Sequence, residues 1–172
     1  VTLNRRDRII HAPWATASSI SLMKNLSMAI DIQPPFLSSD LPWAFDFFSK
    51  KPEYIFPWKT YLKEGLICAG SSDAPVEIPN PLLGIKASIY RRSDHDAKTY
   101  HTDESLTPFE AISLYTIGAN YPTYHDNRGY IKKGYIADFT IFEHDLTTLL
   151  ENELKNEKVM MTVIDEKIVY QK

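Results

Sequence analysis

The order of its apolar runs is the feature that most constrains how this chain folds. Three short runs, DRIIHA, SMAIDIQ and LICAG, are typical of strands that are covered on both faces. Each run is followed, directly or after a loop, by a segment whose apolar residues recur at helical spacing. This alternation predicts a parallel sheet whose strands are joined by helical crossovers, and therefore an α/β fold.

Two helices of this unit have clear start signals. Asn80 and Pro81 open NPLLGIKASIYRR as cap and first helical residue, and Thr107 and Glu110 in LTPFEAISLYTIGANY match the capping box. Residues 36–58, between the second and third predicted strands, are rich in aromatic residues and proline and lack a clean periodicity. We predict that they form a long loop that covers a site.

The pattern changes in the last part of the chain. RGYIKKGYIADFTIFEHD and VMMTVIDEKIVYQK are rich in β-branched and aromatic residues, and Asp165 and Glu166 stand between two short runs as a hairpin turn does. We therefore predict two units, an α/β unit over residues 1–125 and a small β unit over residues 126–172.

Composition limits the size, partners and setting of the fold. The 172 residues, 44% of them apolar, suffice for one ordinary domain, and no stretch approaches the roughly 20 apolar residues that span a bilayer. The net charge of -3 comes from interspersed acids and bases, so we expect neither nucleic acid nor a membrane as partner. Cys68 is the single cysteine and lies in a predicted strand, which indicates a reducing, cytoplasmic setting.

Two residues with chemical potential follow predicted strands. His11 ends the first run and Asp73 follows the third, in GSSDAPV. The carboxyl ends of parallel strands meet at one edge, where ligands gather. Imidazole nitrogen and carboxylate oxygen are ligands of zinc-type ions, and a carboxylate there can accept a proton from water. The alternatives are that Asp73 caps a turn and that His11 is a structural group.

Three strand–helix units are too few to close a parallel barrel. An eight-stranded barrel takes about 250 residues, so this chain could supply only its last third. Because strand edges would be left unpaired, we expect homo-oligomers formed through them.

Five segments together resemble one known family. DRIIHA, GSSDAPVEIPNPLLGIKASIYRR, LTPFEAISLYTIGANY, GYIKKGYIADFTIFEHD and VMMTVIDEKIVY are similar, in this order, to the carboxyl-terminal part of the amidohydrolase superfamily. The branch resembled contains the YtcJ-like metal-dependent hydrolases and the N-substituted formamide deformylases.

This resemblance implies a fold and a set of site residues. The fold is the carboxyl-terminal part, about strands six to eight, of a metal-dependent-hydrolase (β/α)8 barrel, plus part of a small β-sandwich. His11 matches the metal-binding histidine of strand six. Asp73 matches the strand-eight aspartate, a metal ligand that also accepts the proton of the attacking water. Asp40 and Trp43 match a segment near the pocket entrance and are expected to contact substrate.

The chain also departs from the family pattern. Ile10 and Pro13 replace polar neighbours of His11, and their loss is expected to weaken metal binding about 10- to 100-fold if they orient that ligand. The sequence has no His-x-His pair and no fifth-strand histidine, so two expected ligands do not complete a zinc site.

The resemblance thus implies a carboxyl-terminal fragment of an enzyme that hydrolyses an amide- or formamide-type C–N bond in a small molecule. The expected cofactor is a divalent metal, zinc by ligand type, which the fragment alone could lack. The alternative is a non-catalytic remnant or structural subunit that self-associates or pairs with a chain carrying strands one to five. A glycosidase using two carboxylates fits less well, because His11 stands where an acid is needed.

A second group of polar residues lies in the loop SDHDAKTYHTDES. His95 and His101, with the aspartates Asp94, Asp96 and Asp103, allow an accessory metal site or a solvated loop. We favour the solvated loop, and we expect His125 and His144 to face solvent.

Overall fold

Strands and helices alternate along the chain, as the apolar runs predicted. The computed structural model describes residues 5–172. In chain order its elements are β1 (Arg8–Ile10), β2 (Trp14–Ala15), α1 (Ala17–Asn25), β3 (Ala29–Ile32), α2 (Pro35–Asp40), β4 (Tyr54–Ile55), α3 (Trp58–Lys63), β5 (Ile67–Gly70), α4 (Pro81–Tyr90), α5 (Pro108–Leu114), α6 (Ile117–Asn120), β6 (Phe139–Phe142), α7 (Glu151–Leu154), β7 (Val159–Ile164) and β8 (Lys167–Gln171).

The three predicted strands form one parallel sheet in the order β1-β3-β5. Ile30 of β3 pairs with Ile9 of β1 and with Cys68 of β5, so these three side chains share a face. Ile30 is fully buried and Cys68 nearly so. Burial raises the pKa of the Cys68 thiol to about 12, so this cysteine is an inert core residue.

The predicted helix starts are confirmed. The side chain of Asn80 accepts a hydrogen bond from the backbone N–H of Leu82, and Pro81 is the first residue of α4. Thr107 and Glu110 form the capping box of α5, in which each side chain accepts from the other residue's backbone N–H.

The prediction of a long loop over residues 36–58 was wrong. This segment contains most of α2, a 3₁₀ turn over Trp43–Phe47, and β4, which pairs with β2 in an antiparallel two-stranded sheet. Leu37 and Leu41 are fully buried and anchor α2 to the core. Elements of two to six residues are too short to produce a periodicity, which is why the sequence pattern missed them.

A buried arginine joins the small sheet to the helices. Arg91 is fully buried and donates to the backbone carbonyls of Ile55, Phe56 and Tyr100, and its guanidinium lies 4.8 Å from the centre of the Trp58 ring. Burial lowers the pKa of Arg91 to about 10. Three carbonyl acceptors and an aromatic face provide the partners that a buried charge needs.

The last part of the chain forms a second, antiparallel sheet in the order β6-β7-β8. Asp165 and Glu166 connect β7 to β8 with φ angles of 48° and 65°, which confirms the predicted hairpin turn. Helix α7 packs against α4 through buried Leu154, and Glu151 accepts from Arg92 at 2.9 Å. In the described part of the chain, no helix has the length and apolar character needed to cross a membrane.

Tyr115 fills the space that two glycines leave. Its ring lies where side chains of Gly70, at the end of β5, and Gly84, in α4, would otherwise stand. A Cβ on Gly84 would overlap the Tyr115 hydroxyl, and a Cβ on Gly118 of α6 would overlap the backbone carbonyl oxygen of Cys68. Helices α4 and α6 therefore approach their neighbours more closely than any side chain permits.

Gly84→Ala should lower the free energy of unfolding by about 1–3 kcal/mol, because the added methyl group overpacks the contact with Tyr115. Chemical denaturation measures this loss. Because the obstacle is a side chain, the double variant Gly84→Ala/Tyr115→Leu should lose less stability than the two single variants together.

Gly118→Ala provides the matched control for this rescue. Its added methyl group meets the backbone of Cys68, so Tyr115→Leu should not relieve it. Equal stability of Gly84→Ala and the wild-type chain would contradict the packing described for Tyr115.

Candidate active site at the carboxyl edge of the parallel sheet

His11 follows β1 directly and is held in a left-handed backbone conformation, with a φ of 69°. Its backbone N–H donates to the carbonyl of Asp31 at 2.8 Å, and Tyr61 Oη donates to the carbonyl of Ala12 at 2.9 Å. The imidazole stacks on Phe36 with a centroid distance of 5.9 Å. These contacts fix the backbone on both sides of His11 while 43% of its side chain stays exposed.

Asp73 lies three residues after β5, also with a positive φ, of 53°. The turn that follows is closed by backbone groups, since the N–H of Val76 donates to the carbonyl of Asp73 at 2.9 Å. The carboxylate is 44% exposed, and its Oδ2 lies 4.0 Å from Nε2 of His11. The fold therefore brings the two predicted residues face to face across the sheet edge.

Gln33 is a third polar residue of this edge, and the sequence analysis missed it. Its Oε1 lies 2.8 Å from His11 Nδ1, and its Nε2 lies 2.8 Å from Ser71 Oγ and 3.2 Å from the carbonyl oxygen of Asp31. The available signal was a polar residue at the end of the apolar run SMAIDIQ, in the same position that His11 has after β1.

Gln33 also bears on the departure from the family pattern beside His11. Ile10 and Pro13 were expected to leave the histidine without an orienting polar partner. The structure supplies that partner from the next strand instead, because Gln33 occupies Nδ1 and leaves Nε2 toward Asp73. The expected weakening of metal binding therefore does not follow from these two replacements alone.

Asp40 and Trp43 lie on the segment after β3. Trp43 Nε1 donates to the carbonyl of Ser39 at 2.8 Å, and its ring is 45% exposed. Burial, and then the charge of Glu77, raise the pKa of Asp40, while Ser39 and His95 oppose this rise. Since Glu77 belongs to the same loop as Asp73, Asp40 lies within electrostatic reach of that loop.

A second carboxylate faces the same side of the sheet as Ile10. Asp31 Oδ2 accepts from Arg8 at 2.9 Å, whereas its Oδ1 is buried and has no hydrogen-bond partner within residues 5–172. Burial raises the pKa of Asp31, and Arg8 opposes this effect. An orphaned buried carboxylate oxygen beside the candidate site marks a position where a cation or a donor fits.

The donor set fits a divalent metal in part. One imidazole nitrogen and one carboxylate oxygen face each other, as the metal ligands of a hydrolytic zinc site do. A zinc site needs three protein ligands or more, so His11 and Asp73 supply only a share of one.

The polar loop after α4 is held by contacts among its own residues. His95 Nε2 lies 2.5 Å from the carbonyl oxygen of Ser39, and Asp96 accepts from Tyr100 Oη at 2.7 Å. Tyr100 lowers the pKa of Asp96 through this bond. These internal partners agree with the solvated loop that we favoured over an accessory metal site.

Within residues 5–172, three metal-ligand atoms lie within 4.8 Å of one another only at Glu143, His144 and Glu157. These groups already have partners, because Glu157 accepts from the backbone N–H of His144 at 3.0 Å and Glu143 pairs with Lys158 at 3.4 Å. His144 is 61% exposed, as predicted. This cluster is an ion-pair network at the end of β6.

Asp40→Asn should raise the free energy of unfolding at neutral pH, because it removes a carboxylate whose ionised form is disfavoured by burial and by Glu77. The folded-state pKa lies above the ordinary 3.8, so ionisation of Asp40 destabilises the folded chain. The wild-type chain therefore loses stability as pH rises from about 3.8 through the raised pKa, whereas the asparagine does not titrate.

Denaturation at a series of pH values measures this difference, which should grow with pH through that window and then stay constant. Asp46→Asn removes the same charge from an exposed neighbour and is the matched control. A stability difference for Asp40→Asn that does not vary with pH would contradict the assignment.

Comparison with known proteins supports the motifs and the fold. The model of the amidohydrolase family matches residues 2–170. The YtcJ protein of Bacillus subtilis (strain 168), whose name describes it as an amidohydrolase, is 40% identical over 98% of this chain and 32% of its own length. The chain therefore spans about a third of the length of this curated relative.

Two solved structures show the same fold. A metal-dependent hydrolase of uncharacterized function from Pyrococcus horikoshii OT3 has a TM-score of 0.76 at 25% identity, over 84% of this chain and 30% of its own. Atrazine chlorohydrolase TrzN from Arthrobacter aurescens TC1, complexed with zinc, has a TM-score of 0.65 at 15% identity, over 95% and 36%. This mixed α/β chain belongs to the amidohydrolase family and is YtcJ-like, as its five sequence segments predicted.

Proposed function

We propose that this chain forms part of a metal-dependent amidohydrolase that hydrolyses the C–N bond of a small amide- or formamide-type substrate. The observation that carries this proposal is the pair His11 and Asp73, whose Nε2 and Oδ2 atoms lie 4.0 Å apart at the carboxyl edge of a parallel sheet. Membership of the amidohydrolase family supports the same chemistry.

The proposed architecture has β1, β3 and β5 as strands six to eight of a (β/α)8 barrel, with the remaining strands supplied by polypeptide outside these 172 residues. Three features support this arrangement: the parallel order, the free outer edges of β1 and β5, and the 47% exposure of Ile10 on the sheet face opposite the helices. Residues 1–125 form this partial barrel in the proposal.

Residues 126–172 form part of a composite β-sandwich in the same proposal. The support is the apolar surface that β7 and β8 leave uncovered. Ile164, Ile168, Val169 and Tyr170 are each about half exposed, between 48% and 58%. Sheets of this kind normally bury one face against another layer.

In the proposed mechanism His11 Nε2 and Asp73 Oδ2 hold a divalent metal, zinc by ligand type, with further ligands from outside this chain. Such a metal, when bound, polarises the scissile carbonyl and acidifies water. Asp73 accepts the proton of the water that attacks the carbonyl carbon and returns it to the nitrogen as the C–N bond breaks. Asp40 and Trp43 are proposed to contact the substrate beside this pair.

Setting and partners stay predictions. Buried Cys68 and the net charge of -3 favour a reducing, cytoplasmic setting without nucleic-acid or membrane partners. Homo-oligomerisation through the free edges of β1 and β5 follows from the general tendency of unpaired edge strands to find partners.

A second candidate function is a structural subunit that self-associates or pairs with a chain supplying strands one to five. It is favoured by the free strand edges and by the partial ligand set of His11 and Asp73. The metal content of the purified chain, together with its solution mass, separates the two functions.

The proposed enzyme should hold stoichiometric zinc, which elemental mass spectrometry detects, and lose it in His11→Ala and in Asp73→Ala. Asp73→Asn should lower kcat for hydrolysis of an N-formylated amine by about 10²- to 10⁴-fold, because it removes the proton acceptor. The metal loss should follow the two ligands rather than overall charge.

His125→Ala and Asp46→Asn are the controls, since both residues are exposed and stand apart from the sheet edge in sequence. Both should keep the metal content and kcat of the wild type. A metal-free chain that self-associates in solution would instead support the structural subunit.

A further inference from the structure

We propose that Gln33 is a positioning residue that holds His11 in the tautomer with its proton on Nδ1, leaving the bare Nε2 facing Asp73. The proposal deepens the function given above, on which its consequence for metal affinity rests. The tautomer itself depends only on hydrogen bonds within this chain.

Two backbone carbonyls, which can only accept, fix the orientation of the Gln33 amide. The Nε2 atom lies 3.2 Å from the carbonyl oxygen of Asp31 and 2.8 Å from Ser71 Oγ. Ser71 Oγ lies 3.4 Å from the carbonyl oxygen of Ile32, so its proton points there and its lone pair accepts from Gln33. A flipped amide would set Oε1 against the Asp31 carbonyl and lose both bonds.

The orientation of the amide decides the tautomer of the imidazole. Gln33 Oε1 lies 2.8 Å from His11 Nδ1 and can only accept, so the neutral imidazole must carry its proton on Nδ1. Nε2 then presents a lone pair toward Asp73 Oδ2, at 4.0 Å. A lone pair and a carboxylate that face each other attract a cation rather than each other.

Burial makes this chain of bonds decisive. Gln33 is only 5% exposed, so water competes little for its amide, and a lost bond would leave a buried polar group unpaired. Without Gln33, Asp73 would be the stronger influence, because a carboxylate beside Nε2 favours a proton on that nitrogen. Gln33 therefore opposes the tautomer that Asp73 alone would select.

Long-range ¹H–¹⁵N NMR of the metal-free chain reads the tautomer directly, at a pH where the imidazole is neutral. His11→Ala assigns the signal. The wild-type chain should carry the proton on Nδ1, and Gln33→Met, of similar size, should move it to Nε2. A wild-type proton on Nε2, or an unchanged tautomer in Gln33→Met, would overturn the proposal.

Two further variants separate positioning from folding. Gln33→Glu keeps an acceptor against Nδ1 and should retain the wild-type tautomer, even if it lowers stability. Ser71→Ala removes one of the two anchors of the amide and should shift the tautomer partly. Ser88→Ala, which deletes another hydroxyl, buried and bonded to the carbonyl of Gly84, should leave it unchanged.

Zinc titration provides the second measurement. Gln33→Met should weaken zinc binding about 10- to 100-fold, while Gln33→Glu and Ser88→Ala should not. If the wild-type chain binds no zinc but shows the proton on Nδ1, the proposed hydrolase function fails and the positioning role stands. Zinc affinity unchanged by Gln33→Met would overturn the role of Gln33 at the metal.

Discussion

The parallel register of β1, β3 and β5 is the constraint on which the rest of the structure depends. Ile10, Asp31 and Ala69 pair side by side, as do Ile9, Ile30 and Cys68 one residue earlier. Because side chains alternate between faces, a slip of one residue would move Asp31 into the helix-covered core. The same register sets the three strand ends level, so that the side chains after them meet.

The elements behind the sheet serve to hold that edge. Arg91 binds the carbonyl oxygens of Ile55 and Phe56, and the N–H of Phe56 donates to the carbonyl of Pro13 at 2.6 Å. Tyr61 binds the carbonyl of Ala12 from α3. The turn after β1 is thus fixed by buried groups on the helix side, which lets His11 keep an unfavourable backbone conformation while its ring stays accessible.

Sequence reasoning predicted the parts of this fold that depend on local patterns. The apolar runs located the three parallel strands, and capping residues such as Asn80 and Thr107 located helix starts, because these signals act over a few neighbouring residues. The short elements within residues 36–58 were missed, since their stability comes from buried contacts such as those of Leu37. The pairing of Cys68 with Ile30 is likewise a tertiary property.

The same distinction explains the candidate site. His11 and Asp73 could be predicted because each follows a strand, and parallel strand ends converge. Gln33 was missed because its importance lies in its partners: an amide at a strand end has no fixed role until His11, Ser71 and the Asp31 carbonyl surround it. Its role is a property of three strands in register.

Several unfavourable features gather at this edge of the sheet. His11 and Asp73 both have positive φ angles, which cost about 1–3 kcal/mol each in non-glycine residues, and Asp31 buries an unpaired carboxylate oxygen. The raised pKa of Asp40 adds a second carboxylate whose charge the fold disfavours. All of these features place negative charge or lone pairs around one point, so a bound cation would offset them together. A sequence selected only for stability would remove them, and their coincidence at the strand ends is what a binding site requires.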